Sequence, residues 1–317
     1  MILSLKQKTF FDLFPVPEFL LLSTTGITIT DTDIKLVRLQ RKILGGGIKL
    51  THFSRTDSSE LVSALKGFVS RYGSYIRATL PEENSYLFTA SIDRVSVEGL
   101  YDAVAFIVEE NVPISLAESV FDFEIIDEDA NSSEIKLAVT VLPKKIVDAH
   151  VKLFESAGMV PVSFDTESQA VARAIVRRGD KRPQLIINLS LGKTGLYVVE
   201  DEVVQFSITL TYDFGEDDSY PHLEDLKSEM NKVFSFWNDR TDKSGSPSKQ
   251  IEQVLVTGLG ASRKDFVEKL ISDNKTPLTI ADTWVNMSFP KNFVPDIKSD
   301  EALDYASAIG LILPHRK

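Results

Sequence analysis

The stretch from residue 184 to residue 207 reads QLIINLSLGKTGLYVVEDEVVQFS. Two short turns separate three apolar runs that are rich in β-branched residues, which predicts three consecutive strands. The first turn, Ser190–Thr194, contains a glycine, a lysine and a threonine. Backbone amides, an ammonium group and a hydroxyl can together surround a phosphate, so this stretch raises the question of whether the turn binds a nucleotide.

The same order of elements occurs earlier in the chain. Residues 19–29 predict a strand, 30–33 a turn and 34–41 an alternating strand, and Gly45–Gly47 turns the chain into a third. Thr28 stands where Asn188 stands, a shift of 160 residues (188 − 28). Because a helix follows the three strands in both copies, the pattern indicates two related lobes.

A separate unit lies between the two copies. Its predicted elements are a strand (YLFTASI), a helix at about 97–109, two strands (FDFEII and IKLAVTV) and a helix at 145–157 that Gly158 stops. This order predicts a small α+β module. A further helix, capped by Thr166 and expected to end at Gly179, leads into the second copy.

The composition describes a folded, acidic protein. The chain has 317 residues, of which 43% are hydrophobic and 26% charged, and this length is sufficient for two domains. A formal charge of -11 and a pI near 5.0 argue against binding to nucleic acid or directly to anionic lipid. We therefore expect neither as a partner.

Cysteine and histidine usage gives no sign of a metal site or a disulfide framework. The chain has no cysteine, and its four histidines are scattered without a metal-binding spacing. The apolar run near the start, Phe19–Leu22, is far shorter than the ~20 residues that span a bilayer. We expect a protein of a reducing compartment without direct membrane insertion.

Five stretches that span most of residues 20–313 are informative through the order in which they occur. They are IRATLPEENSYLF, VTVLPKKIVDAHVKLFESAGMVPVSFDTESQAVARAI, the stretch 184–207, VLVTGLGAS and YASAIGLIL. In this order they resemble the actin-like ATPase superfamily and, within it, the PilM family of type IV pilus assembly proteins. The resemblance is strongest in residues 140–210.

The resemblance implies an α/β fold of the actin (Hsp70/actin) type. Two lobes would enclose a nucleotide cleft, with a small α+β module inserted in the first lobe, as in the cell-division protein FtsA, and a reduced lid on the second. The implied boundaries are an N-terminal arm (1–18), a first-lobe core (19–81 and 166–180), the module (82–165), and the second lobe (181–317) with its lid region at about 214–252.

The implied nucleotide site departs from the family's pattern in both phosphate loops. Thr28 and Asn188 replace the strand-end aspartates that orient magnesium-bound water, and Thr30 and Ser190 replace the loop glycines. The residues expected at this degenerate site are Thr28, Asp31, Asp33, Lys35, Asn188, Ser190, Gly192, Lys193, Thr194, Gly258 and Gly260. Asp31 and Asp33 would repel phosphate, and backbone geometry alone could explain the two last glycines.

The resemblance implies an adapter. Because the aspartates and glycines of the phosphate loops are replaced, we expect no catalytic residues and no ATPase activity, and ATP and magnesium bound weakly or not at all. One alternative is a nucleotide-binding ATPase switch in the same machine, in which Asp31 or Asp33 binds the metal and Lys35 or Lys193 the phosphate. Another is an FtsA-like cell-division protein, which the ending LPHRK, without an amphipathic membrane helix, disfavours. An unrelated function on the same fold also stays open.

The partner implied by the resemblance is the N-terminal cytoplasmic peptide of PilN or a PilN-like inner-membrane protein. It would bind in a groove between the first lobe and the inserted module, as an extended chain that adds main-chain hydrogen bonds. The protein would thus be cytoplasmic and peripheral at the inner membrane through its partners. The same resemblance extends the partners to the pilus motor ATPases.

Overall fold

The computed structural model describes residues 24–30, 33–42, 45–54, 58–127, 133–212, 214, 220–241, 248–272, 274–287, 289, 294–295 and 297–315. The predicted N-terminal arm (1–18) and Asp31 lie outside these residues. So do parts of the predicted lid region. Among the described residues, no helix has the length and apolar character needed to cross a membrane.

Thirteen strands are present in the described part of the chain. In order they are β1 (Thr25–Ile29), β2 (Asp33–Lys42), β3 (Gly45–Ser54), β4 (Tyr75–Leu80), β5 (Tyr86–Asp93), β6 (Ser119–Asp127), β7 (Glu134–Pro143), β8 (Val160–Thr166), β9 (Gln184–Ser190), β10 (Lys193–Glu200), β11 (Val203–Leu210), β12 (Gln253–Thr257) and β13 (Leu278–Ile280).

The described helices are α1 (Ser58–Tyr72), α2 (Val97–Asn111), α3 (Lys144–Ser156), α4 (Glu167–Ile175), α5 (Leu223–Asn238), α6 (Lys264–Ile271), α7 (Ser299–Ala302) and α8 (Ala306–Ile312). Short 3₁₀ turns occupy Glu82–Asn84, Leu116–Glu118, Leu259–Ser262 and Leu303–Tyr305. Helix α5 lies within the predicted lid region.

Two five-stranded sheets share one topology. Their strand orders are β3-β2-β1-β4-β8 and β11-β10-β9-β12-β13. In each sheet the first three strands along the chain form an antiparallel meander. A fourth strand pairs in parallel with the meander's first strand, and a fifth pairs in parallel with the fourth. The predicted repeat of a three-stranded meander is therefore confirmed, and it is a duplication of the whole sheet.

The two sheets lie on either side of a central pair of helices. Helices α1 and α3 pack on the outer face of the first sheet, and α5 and α6 on the outer face of the second. Helices α4 and α8 pack between the sheets, in one cluster that holds Val37 of the first sheet and Ile186 of the second. Strand alternation explains the layers, because successive residues of each meander strand point to opposite faces.

Helices α4 and α8 cross with their backbones in contact. A Cβ atom built on Gly310 would lie 1.7 Å from the carbonyl oxygen of Ala170. A Cβ on Gly26 of β1 would likewise lie 2.4 Å from the carbonyl oxygen of Ala308. Glycine at these two positions lets α8 approach both the partner helix and the first sheet.

The inserted module is a three-stranded antiparallel sheet, ordered β5-β7-β6, with α2 packed on one face. Its end strand β5 lies beside β11 of the second sheet. Leu87, Ile126 and Ala138 of the module pack there around the fully buried Val203. The module therefore contacts the second lobe as well as the first.

The predicted end of the module at residue 165 is wrong. Strand β8 belongs to the first sheet, because it pairs in parallel with β4 from Tyr75↔Val160 to Leu80↔Thr166. Helix α3 also packs on the first sheet, with Phe154 fully buried in that core. The apolar face of α3 fits either sheet, so the sequence pattern alone could not assign it.

Two further boundaries differ from the prediction. Helix α8, expected in the second lobe, packs mainly on the first sheet. Helix α4 ends at Ile175 and not at Gly179, because the Asn286 side chain donates to the carbonyl oxygens of Arg173 and Val176 (3.0 and 2.6 Å) and so caps the helix end.

We expect Gly310→Ala to destabilise the fold by about 3 kcal/mol or more, because α4 and α8 would have to separate. Gly67→Ala is the matched control: Gly67 lies within α1 with nothing near its Cβ position, so alanine should stabilise by ~0.5–1 kcal/mol. Urea denaturation of the two variants measures the difference. Equal stability of both variants would contradict the tight helix crossing.

Candidate functional site

A cavity of about 320 Å³ opens between the two lobes. It lies where the end of β1, the segment after β4 and the β9–β10 turn meet. Its polar lining includes Thr28, Thr30, Glu83, His150, Glu167, Lys193 and Thr209. Three of the expected nucleotide-site residues, Thr28, Gly192 and Lys193, thus line one cavity.

Carboxylates from the first lobe and α4 surround this cavity. Glu82 and Glu83 directly follow β4, and Glu167 directly follows β8. Since β4 and β8 are parallel neighbours, the segments that leave them start at the same sheet edge. Glu83 and Glu167 line the cavity, and Glu82 is buried beside them, so the cavity is acidic at this edge.

Lys193 joins these carboxylates to the second lobe. Its Nζ lies 2.8 Å from Glu167 Oε2 and 3.9 Å from Glu83 Oε2. Burial lowers the pKa of the Lys193 ammonium, but the attraction of Glu167 and Glu83 outweighs it and holds the pKa above its ordinary value. The lysine therefore stays charged and bridges the lobes across the cavity.

Asn188, which replaces a family aspartate, bonds to the same carboxylate. Its Nδ2 donates to Glu167 Oε1 at 3.2 Å, and the side chain also hydrogen-bonds the buried Tyr197 hydroxyl. Burial, together with the nearby Glu167 charge, raises the pKa of Tyr197 well above its ordinary value. Asn188 is thus part of a buried network and does not line the cavity.

Glu82 bonds the start of α4. The backbone N–H and the hydroxyl of Ser168 donate to its two oxygens at 2.9 and 2.8 Å. Burial raises the pKa of Glu82, although hydrogen bonds from Ser168 and Ser207 act against that rise. This carboxylate serves as an acceptor within the protein.

Asp33 and Lys35 of the first loop face α8 and the turn that precedes it, and they do not line the cavity. Thr28 and Thr30 line the cavity, but the Thr28 hydroxyl also lies 3.0 Å from Ser307 Oγ on α8. Lys35 is buried, and its Nζ lies 2.6 Å from Asp304 Oδ1 and 3.9 Å from Asp33. Asp33 also binds His52 Nε2 at 2.7 Å. Strand alternation places Asp33 and Lys35 on the face of β2 that packs on α8, so neither reaches a phosphate position in the cavity.

The remaining predicted residues serve the backbone or the core. Gly258 has φ +86°, and a Cβ there would lie 2.4 Å from the Leu189 carbonyl oxygen, whereas a Cβ on Gly260 would meet the Phe214 ring at 2.4 Å. The turn glycines therefore have a conformational reason of their own. Thr194 is fully buried, so its hydroxyl cannot contact a ligand, and Ser190 does not line the cavity.

These residues do not fit a magnesium triphosphate. Of the described residues that line the cavity, Lys193 is the only lysine or arginine, and two carboxylates already hold it. A triphosphate would bring three to four negative charges beside Glu83 and Glu167. At a few ångströms each like-charge contact costs about 1 kcal/mol in water and more in a cleft.

A second cavity, of about 510 Å³, lies between the module and the first lobe. It separates β6, an end strand of the module sheet, from β8, an end strand of the first sheet. We call this cavity the groove. Its apolar lining is Leu80, Val120, Phe121, Leu142, Val147 and Phe164, and its polar lining includes Asp122, Glu124, Asp165, Gln169, Arg173 and His315.

The polar end of the groove is built around one ion pair. Arg173 binds Asp165 through two hydrogen bonds of 2.8 and 3.1 Å, and it also donates to the Gly310 carbonyl oxygen at 3.2 Å. His315 stands 3.9 Å from Asp165. Burial and the positive charge of Arg173 lower the pKa of His315, so its ring is mainly neutral near pH 7.

The sequence prediction missed Glu83 and Glu167, which line the cavity, and Glu82, which is buried beside them. The signal that could have found them is their position just after β4 and β8. These two strands are parallel neighbours, so their C-terminal ends lie at the same edge of the sheet. That signal requires assigning β8 to the first sheet. The predicted module included residues 160–165, so the proximity of the three carboxylates could not be predicted from the sequence.

The duplicated sheets, the central helix pair and the cavity between the lobes define an actin-like ATPase fold. PilM, in the structure of a PilM–PilN type IV pilus biogenesis complex, superposes with a TM-score of 0.75 over 92% of this chain and 97% of that one, at 17% identity. The cytoplasmic domain of EpsL, an inner-membrane component of the type II secretion system of Vibrio cholerae, gives 0.51 over 90% and 94%, at 8% identity. No protein-family model and no curated protein matches the sequence.

We expect Lys193→Met to lower the free energy of unfolding by about 1–3 kcal/mol, because it leaves Glu167 and Glu83 without their cation. Lys181→Met is the control, since Lys181 is exposed and 3.9 Å from Asp201, and should change stability by less than about 0.5 kcal/mol. Chemical denaturation at low salt compares them. Indistinguishable variants would show that Lys193 does not hold the lobes together.

Proposed function

We propose that this chain is an adapter in a type IV pilus or related secretion assembly machine. It binds an extended cytoplasmic peptide of a PilN-like inner-membrane protein in the groove and so sits at the membrane through that partner. The observation that carries this proposal is the pair of end strands, β6 and β8, that face each other across the groove.

End strands offer backbone donors and acceptors that a further strand can pair with. The other end of the module sheet, β5, already lies against β11. The gap between β6 and β8 is the side of the module where an added strand can enter. Exposed apolar side chains line or flank it, since Val120 of β6 is 41% exposed and Val162 of β8 is 46% exposed.

The fold comparisons support the same class of function. One similar structure is a complex of PilM with PilN, and another is part of an inner-membrane secretion component. Both cover at least 90% of this chain, so the inserted module is included in the likeness. Pilus motor ATPases, the other partners implied by the sequence, stay a prediction.

The groove is tested by Val120→Asp, which places an unpaired charge beside Asp122 where the peptide would pack. The probe is a synthetic peptide with the N-terminal cytoplasmic sequence of the PilN-like protein from the same genome, titrated by calorimetry. We expect binding to weaken at least tenfold. Val95→Asp, at a similarly exposed valine outside the groove, should bind normally; equal binding by both variants would rule out the groove.

We further propose that the protein neither binds nor hydrolyses ATP, because Lys193 and its carboxylates occupy the cleft. Titration with ATP and magnesium, at protein concentrations that detect a Kd of about 100 μM, should give no heat and no thermal shift. Magnesium-dependent binding that disappears in the Asp31→Ala, Asp33→Ala double variant would instead support the nucleotide-switch alternative.

A further inference from the structure

A third cavity, of about 340 Å³, continues the groove toward the second lobe. We call it the second chamber. It shares four lining residues with the groove: Glu124, Gln169, Arg173 and His315. These residues border both spaces, so the second chamber adjoins the polar end of the groove.

One face of α4 connects the two spaces. Gln169, Ala172, Arg173 and Val176 line the second chamber and are spaced i, i+3, i+4 and i+7, which is a single helical stripe. From Gln169 to Val176 this stripe is about 10 Å long at ~1.5 Å per residue. An extended peptide covers that distance with about three residues.

The second chamber has an apolar floor and a charged far end. Ala172, Val176 and Val204 form the floor, and each is nearly inaccessible to solvent. Val204 lies on β11 of the second sheet. A small apolar side chain that rests on this floor would contact both α4 and the second lobe.

Arg178 lies at the end of the second chamber farthest from the groove, and its side chain is available to bind a ligand. Its backbone N–H donates to Asn286 Oδ1 at 3.0 Å, while its exposed guanidinium has no hydrogen-bond or ion-pair partner among the described residues. The neighbouring Glu202 already has a hydrogen-bond partner within the protein, since its Oε1 accepts from the Gly179 N–H at 2.8 Å. Arg173 is likewise committed to Asp165.

We propose that the partner peptide is longer than the groove and continues along α4 into the second chamber. There it places an apolar side chain on the floor formed by Ala172, Val176 and Val204 and a carboxylate against Arg178. This inference rests on the proposed peptide-binding function and adds to it a second anchoring site, where the end of α4 meets β11 of the second lobe. The recognised segment is therefore apolar where it occupies the groove and carries an acidic residue where it meets Arg178.

The test uses the 317-residue chain and the synthetic cytoplasmic peptide described above. The peptide is shortened stepwise from either end. We expect Arg178→Ala to weaken binding of the long peptide about twofold to fivefold, the range typical of an exposed ion pair. Removing the peptide residues that reach the second chamber should weaken binding by a similar factor. For that shortened peptide, Arg178→Ala should then have no further effect.

Arg177→Ala is the matched control, because Arg177 is an exposed neighbour that lines neither space. The inference is overturned if Arg178→Ala binds the long peptide as wild type does, or if it weakens long and shortened peptides equally. Val120→Asp separates this failure from that of the proposed function. If Val120→Asp abolishes binding and Arg178→Ala is silent, the groove stands and only the second chamber is lost.

Discussion

The crossing of α4 and α8 is the contact on which both lobes depend. Gly310 brings the two backbones together over Ala170, and residues from both sheets pack around the pair in one cluster. The inner core is therefore shared by the two lobes, although each lobe also has an outer core of its own. The same helix α4 begins at the cleft, with Glu167, and forms the floor of the second chamber with Ala172, so the helix crossing also sets the positions of both candidate sites.

Much of the fold could be predicted from residue periodicity. The meander at 184–207 and its earlier copy are unambiguous because β-branched runs alternate with short turns. The actin-like arrangement was implied by the resemblance of the ordered segments to that superfamily. Periodicity failed at β8 and α3, where an apolar face matches two possible sheets. Only the pairing of β4 with β8 settles which one it joins, and long-range pairing leaves no local signal.

The residue types of the candidate site could be predicted from the sequence, but the contacts between those residues could not. The absence of the usual aspartates and glycines is visible in the sequence at Thr28 and Asn188. The engagement of Lys193 by Glu167 and of Lys35 by Asp304 joins residues far apart in the chain. Such charges come together only once both sheets and the central helices are in place. Lys35 was therefore predicted from its loop alone to contact a phosphate, whereas it contacts Asp304.

The bridge formed by Lys193 has a consequence for the protein's behaviour under metabolic stress. A protein whose lobes close on a bound ligand gains stability that rises with ligand concentration. In this chain the cation that bridges the lobes is the Lys193 side chain. Its effective concentration at the cleft is fixed by the fold. With no nucleotide bound, as proposed, the folded fraction and the shape of the groove would stay constant while the ATP-to-ADP ratio of the cell falls, and a partner would find the same docking surface in starved and growing cells.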